Sequence, residues 1–491
     1  MNINIYTWII LILYVALLFF FALRGRARTT TIEQYSVYRG MAGPIVLGVS
    51  YAATTISSVV FIGFPGWLYS AGYSGLWASF GVWGFFVLSA IILAKGVRRI
   101  GVRYGSLSIP DLLGHHYNSD ASRVVFSLVF LINIMYIAAT FVGIAVLLNV
   151  VLGVSYTASL LVTVAVAVCY ILIGGTYAQV FSDFWMGLIM AFTALAIFSI
   201  GFWAIDGGWA GMTQTLAGSD PNLIAPVNPD FALFATPLAI LSIGFVSLFF
   251  GVQSQLAKFY LALTRERDIR VFLVTTTVVY SLIYLAILGG LYARVLYPDI
   301  QPDQAVPTLI NELFHPAITA IMVLGLISAS ISTFNTLFVQ MGTVLGNDIY
   351  RRLMVPRGWL VPTNLQDVDK VTLRVTKGAS VVIGIIALLI ALDRPAYLGT
   401  LGAVGAFGVM AGTAAPLILA LYWSRATAAG AIATGVVVPV LFLWLTISQT
   451  FASVWLAAAV CILVGFVLMI IVSLLVGVPQ RSETHVEETE S

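Results

Sequence analysis

The sequence predicts an all-α polytopic membrane protein with thirteen transmembrane helices, and three observations favour this class. Of the 491 residues, 60% are hydrophobic and only 9% are charged, whereas soluble domains carry about 25% charged residues. The apolar residues are gathered into long runs, and a run of roughly 20 residues crosses ~30 Å of hydrocarbon as a helix. Lipid offers the backbone no hydrogen-bond partners, so these runs have to be helical.

The runs place the thirteen spans in a single transmembrane domain covering residues 1–478. In chain order they are 6–23, 43–69, 74–94, 124–151, 156–173, 178–205, 234–263, 271–295, 317–345, 375–392, 397–423, 427–447 and 452–476.

The first span sets the orientation. No basic residue precedes it, and Arg24, Arg26 and Arg28 follow it, so it reads as a membrane anchor with its N-terminus outside rather than a cleaved signal peptide. Alternating from there puts all but two of the 23 basic residues, Arg294 and Arg394, on the cytoplasmic side, as the positive-inside rule requires. We therefore expect a multi-pass plasma-membrane protein with a cytoplasmic C-terminus, where the polar segment 479–491 forms a disordered tail.

The second span contains residues that weaken a helix. Thr54, Thr55, Ser57 and Ser58 occupy its middle, and Gly63, Pro65 and Gly66 follow. Unwound backbone at membrane depth is tolerated where it lines a cavity, and transporters use such breaks to face ions and substrates. Close packing of small residues between helices would also explain this composition.

The sixth and ninth spans carry unusual polar groups. Asp183 lies inside the sixth span, and a carboxylate at that depth favours an ion pathway, although its distance from the span end also allows a water-exposed aspartate. In the ninth span, helical spacing puts Ala329, Ser332, Thr333 and Thr336 on one face. Their oxygens suit a sodium ion, and ordinary hydrogen bonding between helices would explain them too.

Four segments in order resemble the sodium:solute symporter family over roughly residues 30 to 440. They read YSVYRGMAGP with AATTIS and FIGFPG, then YILIGGTYAQVFSDFWMG, then AVPTLINELF with GLISASISTFNT, and finally YWSRATAAGAIATG. The resemblance implies a LeuT-type five-plus-five inverted repeat, with core repeats at about 43–205 and 234–423 and with extra first, twelfth and thirteenth helices.

The resemblance also implies Na⁺ as the coupling ion. The sodium site would use carbonyls of Ala53, Ile56 and Ala329 and hydroxyls of Ser332 and Thr333. A second sodium or an exit path would involve Asp183, Asn335 and Thr336, beside Ser332. Thr55 departs from the pattern, because well-known members have Asp or Asn there, so their proline or sugar specificity does not transfer directly.

The substrate pocket is expected near the membrane midplane, beside the break in the second span. Its candidate residues combine aromatic walls with neutral hydrogen-bonding groups, and each could instead be a packing residue. They are Thr55, Ser57, Ser58, Tyr136, Phe249, Phe250, Gln253 and Gln255. Lys258, which follows on the seventh span, is expected to reach the interface as a snorkelling side chain.

These features predict a sodium-coupled symporter, and not an enzyme, that imports a small solute by alternating access through the lipid bilayer. The expected substrate is a monocarboxylate or a small neutral amino acid such as proline, with another neutral solute such as a vitamin or urea as the alternative. A channel would need a filter loop, and a transporter-like sensor would need a signalling domain. Nothing in the composition points to nucleic acid, and no phosphate-binding GxxxxGK[ST] loop is present.

Overall fold

The computed structural model describes residues 5–57, 59–360, 367–393, 398–451 and 453–477, and within these it contains helices and no strands. The first half holds ten α-helices: α1 Ile5–Arg26, α2 Ile32–Ser36, α3 Pro44–Thr55, α4 Phe64–Ala71, α5 Tyr73–Tyr104, α6 Ile109–His116, α7 Asp120–Leu131, α8 Ile134–Leu152, α9 Tyr156–Trp203 and α10 Gly208–Ser219. The second half holds ten more: α11 Pro237–Ser247, α12 Ser254–Ala262, α13 Glu266–Tyr284, α14 Gly289–Leu296, α15 Ala305–Leu313, α16 Pro316–Thr343, α17 Val368–Leu392, α18 Leu398–Tyr422, α19 Ala428–Ile447 and α20 Val454–Val476. The predicted tail, 479–491, lies outside the described residues.

Among these residues, ten helical segments are long and apolar enough to cross a membrane. Two further pairs of helices qualify jointly but are bent, which raises the number to twelve if each pair is one span. The helices run past the predicted ends where charged residues continue them: α5 reaches Tyr104, and α16 continues as a wider π-helical turn to Met354. The all-helical membrane architecture is confirmed.

The outer helices α1, α19 and α20 expose large apolar side chains such as Leu13, Ile447 and Leu475, which are 63%, 80% and 81% exposed. Such a surface is costly in water and suits hydrocarbon. In contrast, α16 is buried along almost its entire length from Met322 to Thr343. Helix α16 therefore lies at the centre of the bundle, where it packs on α9, α8 and α3.

Helix α9 covers both the predicted fifth and sixth spans. It is 48 residues long and is interrupted at Gly175, whose φ of 54° and ψ of −148° are not helical. A Cβ at this position would lie 2.6 Å from Cδ2 of Tyr35, so both the backbone conformation and the space call for glycine. The YILIGGTYAQ segment thus redirects the chain between two long apolar helices.

A buried charge cluster ties one end of the bundle together. Asp111 of α6 is fully buried, and its Oδ1 lies 3.2 Å from His115 Nε2, 3.4 Å from Arg123 Nε and 3.5 Å from Arg352 Nε. Burial raises the pKa of Asp111, but the contact with His115 and the charges of Arg352 and Arg123 outweigh it and hold this pKa below its usual range. The carboxylate is therefore charged at neutral pH and joins α6 to α7 and to the end of α16.

Candidate functional site

The break predicted in the second span is present. Helix α3 ends at Thr55, Ile56 is extended (φ −91°, ψ 105°), and the chain resumes a helical course at Val59 with a bend of 60°. The Ile56 N–H donates to the Ala53 carbonyl over 3.3 Å. Pro65 stands in the first turn of α4, where its missing N–H costs least. Ser58 lies outside the described residues.

The hydroxyl stripe of α16 faces this break. Ser332 Oγ donates to the Ala53 carbonyl over 2.9 Å, and Thr333 Oγ1 donates to the Thr54 carbonyl over the same distance. Each hydroxyl also has the Ala329 carbonyl within 3.2 Å. Five oxygen atoms from two helices are thereby gathered within hydrogen-bond distances.

This arrangement has the chemistry of a sodium site. Carbonyl and hydroxyl oxygens are ligands that hard cations prefer, and the ends of a broken helix supply carbonyls that a continuous helix would use internally. The structure brings Ala53, Ala329, Ser332 and Thr333 together, as predicted, and Ile56 lies fully buried beside them. The Thr54 carbonyl was not among the predicted ligands. The predicted break does place it beside the other carbonyls at the end of α3.

Asp183 lies next to this group of oxygens and is fully buried. The alternative of a water-exposed aspartate is therefore wrong. Asp183 Oδ2 accepts hydrogen bonds from Thr54 Oγ1, 3.3 Å away, and from the Gln179 amide. Asn335 Nδ2 lies 3.5 Å from Asp183 Oδ1, and Thr336 Oγ1 lies 3.2 Å from Thr54 Oγ1. The three residues predicted for a second sodium or exit path thus share one network.

Lys258 joins the same network, against expectation. Its side chain is 1% exposed, and its ammonium donates a hydrogen bond to Gln179 Oε1. The snorkelling interpretation is therefore wrong. Lys258 follows a second break, between Pro237–Val252 and Ser254–Ala262, which bends by 51° and turns α12 into the bundle.

Most of the predicted pocket residues lie at one of the two breaks. Ser57 is buried at the first break, and Tyr136 of α8 is half-buried. Thr55 donates to the Tyr51 carbonyl over 2.6 Å. At the second break, Gln255 Nε2 donates to Gln253 Oε1 over 2.7 Å.

The two adjacent phenylalanines separate. Phe250 is half-buried, with its ring 6.4 Å from that of Phe86 and 6.3 Å from that of Phe407 in α18. Phe249 instead packs on Phe245 and on Phe466 of α20, with ring separations of 5.2 Å and 5.8 Å. Phe249 is thus a packing residue between α11 and α20, whereas Phe250 faces the helices that flank the breaks.

Gln179 and Lys258 were not among the predicted site residues. Gln179 precedes Asp183 by four residues on one helix, which places both side chains on one face, so the sequence did carry a signal for it. Lys258 carried none, because its partners are distant in sequence. Within the described ranges, no group of three or more His, Cys, Asp and Glu side chains could hold a metal ion.

Known proteins resemble this chain over most of its length. The model of the sodium:solute symporter family matches residues 34–438. The sodium/pantothenate symporter of Escherichia coli (strain K12) is 29% identical over 431 residues, which are 86% of each chain. The high-affinity proline transporter PutP of Bacillus subtilis (strain 168) is 26% identical over 428 residues, covering 83% of this chain and 85% of the relative.

Two solved structures share the fold. A Na⁺-coupled sialic acid symporter in a substrate-bound, outward-open state superposes with a TM-score of 0.76 at 18% identity, over 96% of this chain and 98% of the other. A nucleobase-cation-symport-1 family transporter, Mhp1, superposes with a TM-score of 0.52 at 14% identity, over 91% and 96% of the two chains. At these identities the likeness concerns the fold alone.

Proposed function

Because the chain belongs to the sodium:solute symporter family, we propose that it imports a small monocarboxylate or a small neutral amino acid across the plasma membrane, coupled to sodium. The observation that carries this proposal is the contact between the α16 hydroxyls and the α3-terminal carbonyls: Ser332 with Ala53 and Thr333 with Thr54, each 2.9 Å. Sodium would bind to these oxygens and to the carbonyls of Ala329 and Ile56.

The substrate class follows from the charges beside the breaks. Asp183 is already engaged by three donors, so no carboxylate is left there to hold an amine. A cationic solute would also be repelled by bound sodium in a poorly hydrated site, at a cost of several kcal/mol. A carboxylate would instead be attracted by the ion and by the first turn of α12, whose N–H groups begin at the second break.

The relatives agree with this class. Pantothenate and proline, named for the E. coli and B. subtilis proteins, each carry one carboxylate. Pantothenate is both a monocarboxylate and a vitamin. It therefore belongs to the expected substrate class and also to the alternative class that the sequence left open. The neutral hydrogen-bonding groups Ser57, Tyr136, Gln253 and Gln255 suit the hydroxyl and amide groups of such a molecule.

The proposed topology has thirteen spans in one transmembrane domain, with the N-terminus outside and the C-terminus in the cytoplasm. Ten single segments and two bent pairs become thirteen spans if α9 is divided at Gly175, since 48 helical residues would extend ~72 Å, more than twice the ~30 Å of hydrocarbon. The two bent pairs stand first in the proposed repeats, 43–205 and 234–423, which supports the inverted-repeat arrangement.

Uptake into proteoliposomes tests the proposal. The purified protein is given radiolabelled pantothenate or proline, with an inward sodium gradient and with an equal potassium gradient as the control. We expect accumulation of at least one of the two solutes under the sodium gradient only. Excess organic acids and neutral amino acids should suppress uptake, while polyamines and hexoses should not. Inhibition by a hexose or a polyamine would contradict the substrate class, and uptake without sodium would contradict the coupling.

A further inference from the structure

Buried charge is scarce in the described part of the chain and falls into two groups. Five charged side chains are buried there: Asp111, Arg123, Asp183, Lys258 and Asp348. Asp111 contacts Arg123, and Asn347 bridges Asp111 and Asp348, so these three belong to the cluster at the end of the bundle. The other two, Asp183 and Lys258, lie beside the proposed sodium site and are joined by the amide of Gln179.

The chemistry of Lys258 fixes how this amide is turned. A lysine ammonium has donors and no acceptor, so the group of Gln179 that faces it has to be the carbonyl oxygen Oε1. The other side of the amide, Nε2, then faces Asp183 and donates to Oδ2. Lys258 therefore fixes Gln179 Nε2 as the donor that faces Asp183, and its own ammonium group lies on the other side of the same amide.

Each side chain that contacts the Asp183 carboxylate donates a hydrogen bond to it. Besides Gln179 Nε2, the carboxylate receives the Thr54 hydroxyl at 3.3 Å and the Asn335 amide nitrogen at 3.5 Å. A sodium ion beside Asp183 Oδ2 would meet the N–H of Gln179 instead of its oxygen, because that oxygen accepts from Lys258. With Lys258 in place, three donors contact the carboxylate, and the lysine nitrogen lies on the other side of the Gln179 amide.

We propose that Lys258 supplies the positive charge that a second sodium would bring to Asp183, so that the carrier binds one sodium ion, at the Ala53–Ser332–Thr333 site. This inference rests on the proposed function, and at Asp183, Asn335 and Thr336, where a second sodium or an exit path is expected, it assigns no second sodium. One sodium with a monocarboxylate moves no net charge, whereas one sodium with a zwitterion such as proline moves a single positive charge.

Direct binding of ²²Na⁺ to the purified full-length protein tests this stoichiometry without knowledge of the solute. The parent protein is expected to bind one ²²Na⁺ per chain at saturation. Lys258→Met keeps an unbranched side chain, one atom shorter, and removes the terminal nitrogen, so the Gln179 amide can turn its oxygen toward Asp183, and two ²²Na⁺ are expected. The matched control is Lys370→Met, because Lys370 is 72% exposed and pairs with Asp367 near the start of α17; it should bind one.

The double variant Lys258→Met with Asp183→Asn removes both charges together. It therefore leaves no uncompensated buried carboxylate, which could prevent the single variant from folding. It is expected to bind one ²²Na⁺, since neither side chain belongs to the Ala53–Ser332–Thr333 site. Two ions in the parent, one ion in folded Lys258→Met, or none in the double variant would each overturn the inference. No binding by the parent would instead count against sodium coupling, and thus against the proposed function itself.

Discussion

The hydroxyl of Thr54, at the end of the first half of the broken second span, lies 3.3 Å from the buried carboxylate of Asp183 in α9. The same hydroxyl lies 3.2 Å from Thr336 Oγ1 in α16. One side chain therefore links the broken helix to the two long helices that hold the polar groups of the bundle. Its backbone carbonyl meanwhile accepts from Thr333, so Thr54 touches the proposed sodium site and the Asp183 network at once.

Thr54→Val keeps the shape of the side chain and removes its hydroxyl. Asp183 then loses one of its three donors, and a hydrogen bond to a charged group contributes roughly 1.5–3 kcal/mol. We expect a lower thermal denaturation midpoint in detergent and slower sodium-driven uptake. Thr54→Ser is the control, because it keeps the hydroxyl. Equal midpoints for Val and Ser variants would show that the contact contributes nothing.

The proposed sodium site predicts the effect of a paired substitution in α16. Ser332→Ala with Thr333→Ala removes two ion-facing hydroxyls, each worth about 1.5 kcal/mol to a charged partner. The sodium concentration for half-maximal uptake should therefore rise tenfold or more. Ser330→Ala, about 200° around the same helix from Ser332, should leave it unchanged. Unaltered sodium dependence in the paired variant would show that these hydroxyls do not bind the ion.

Gly175→Ala tests the interruption of α9. The residue has a positive φ of 54°, and its Cβ would meet Tyr35 at 2.6 Å, so backbone strain of about 1–3 kcal/mol is added to a clash. We expect poor yield of folded protein in size-exclusion chromatography and a lowered denaturation midpoint. Gly84→Ala in α5 is the control, since a Cβ there meets nothing within 4 Å. A parent-like midpoint for Gly175→Ala would mean that α9 can continue without the interruption.

Asp111→Asn removes the buried carboxylate that Arg123 and Arg352 share. Loss of one partner of a buried ion pair costs roughly 3–5 kcal/mol, and we expect the lower end because Arg352 is 31% exposed. The pKa of Asp111 is lower in the folded protein than its unfolded value, so its stabilisation is present above about pH 4 and is lost as the pH falls through the folded pKa.

Denaturation midpoints at neutral and acidic pH measure this contribution. The parent should lose more stability than Asp111→Asn as the pH falls. Asp120→Asn is the matched control, because Asp120 pairs with the same Arg123 at 2.5 Å but is 44% exposed. A variant with the same acid sensitivity as the parent would show that Asp111 contributes no pH-dependent stability.

The features that could be predicted from the sequence depend on residues that lie close together in the chain. The break after Thr55 was visible because hydroxyl side chains stand beside glycine and proline within an apolar run. The Ser332–Thr333 stripe was visible because helical spacing alone puts these residues on one face. In contrast, Lys258 is followed by Arg265, Arg267 and Arg270, and nothing local separates a buried lysine from a basic membrane edge.

The other misassignments have similar physical causes. Phe249 and Phe250 are neighbours in sequence, and the turn at the second break sends their rings to different helices, a difference that no periodic pattern encodes. Helices α5 and α16 extend beyond their apolar runs because polar residues continue a helix once it leaves the hydrocarbon. Hydropathy locates the membrane crossing and carries little information about where the helix ends.

The pairing of α16 hydroxyls with α3 carbonyls has a consequence for the unloaded protein. In a cation site whose oxygens all direct lone pairs at one point, these oxygens repel one another when no ion is bound. Such a site would need an ion or water to stay closed. Here each hydroxyl turns a hydrogen toward a carbonyl, so the oxygens satisfy one another without a cation. The empty site can therefore close and desolvate. A symporter needs this ability after it has released its solute and ion, because its binding site has to open to the outside again without them.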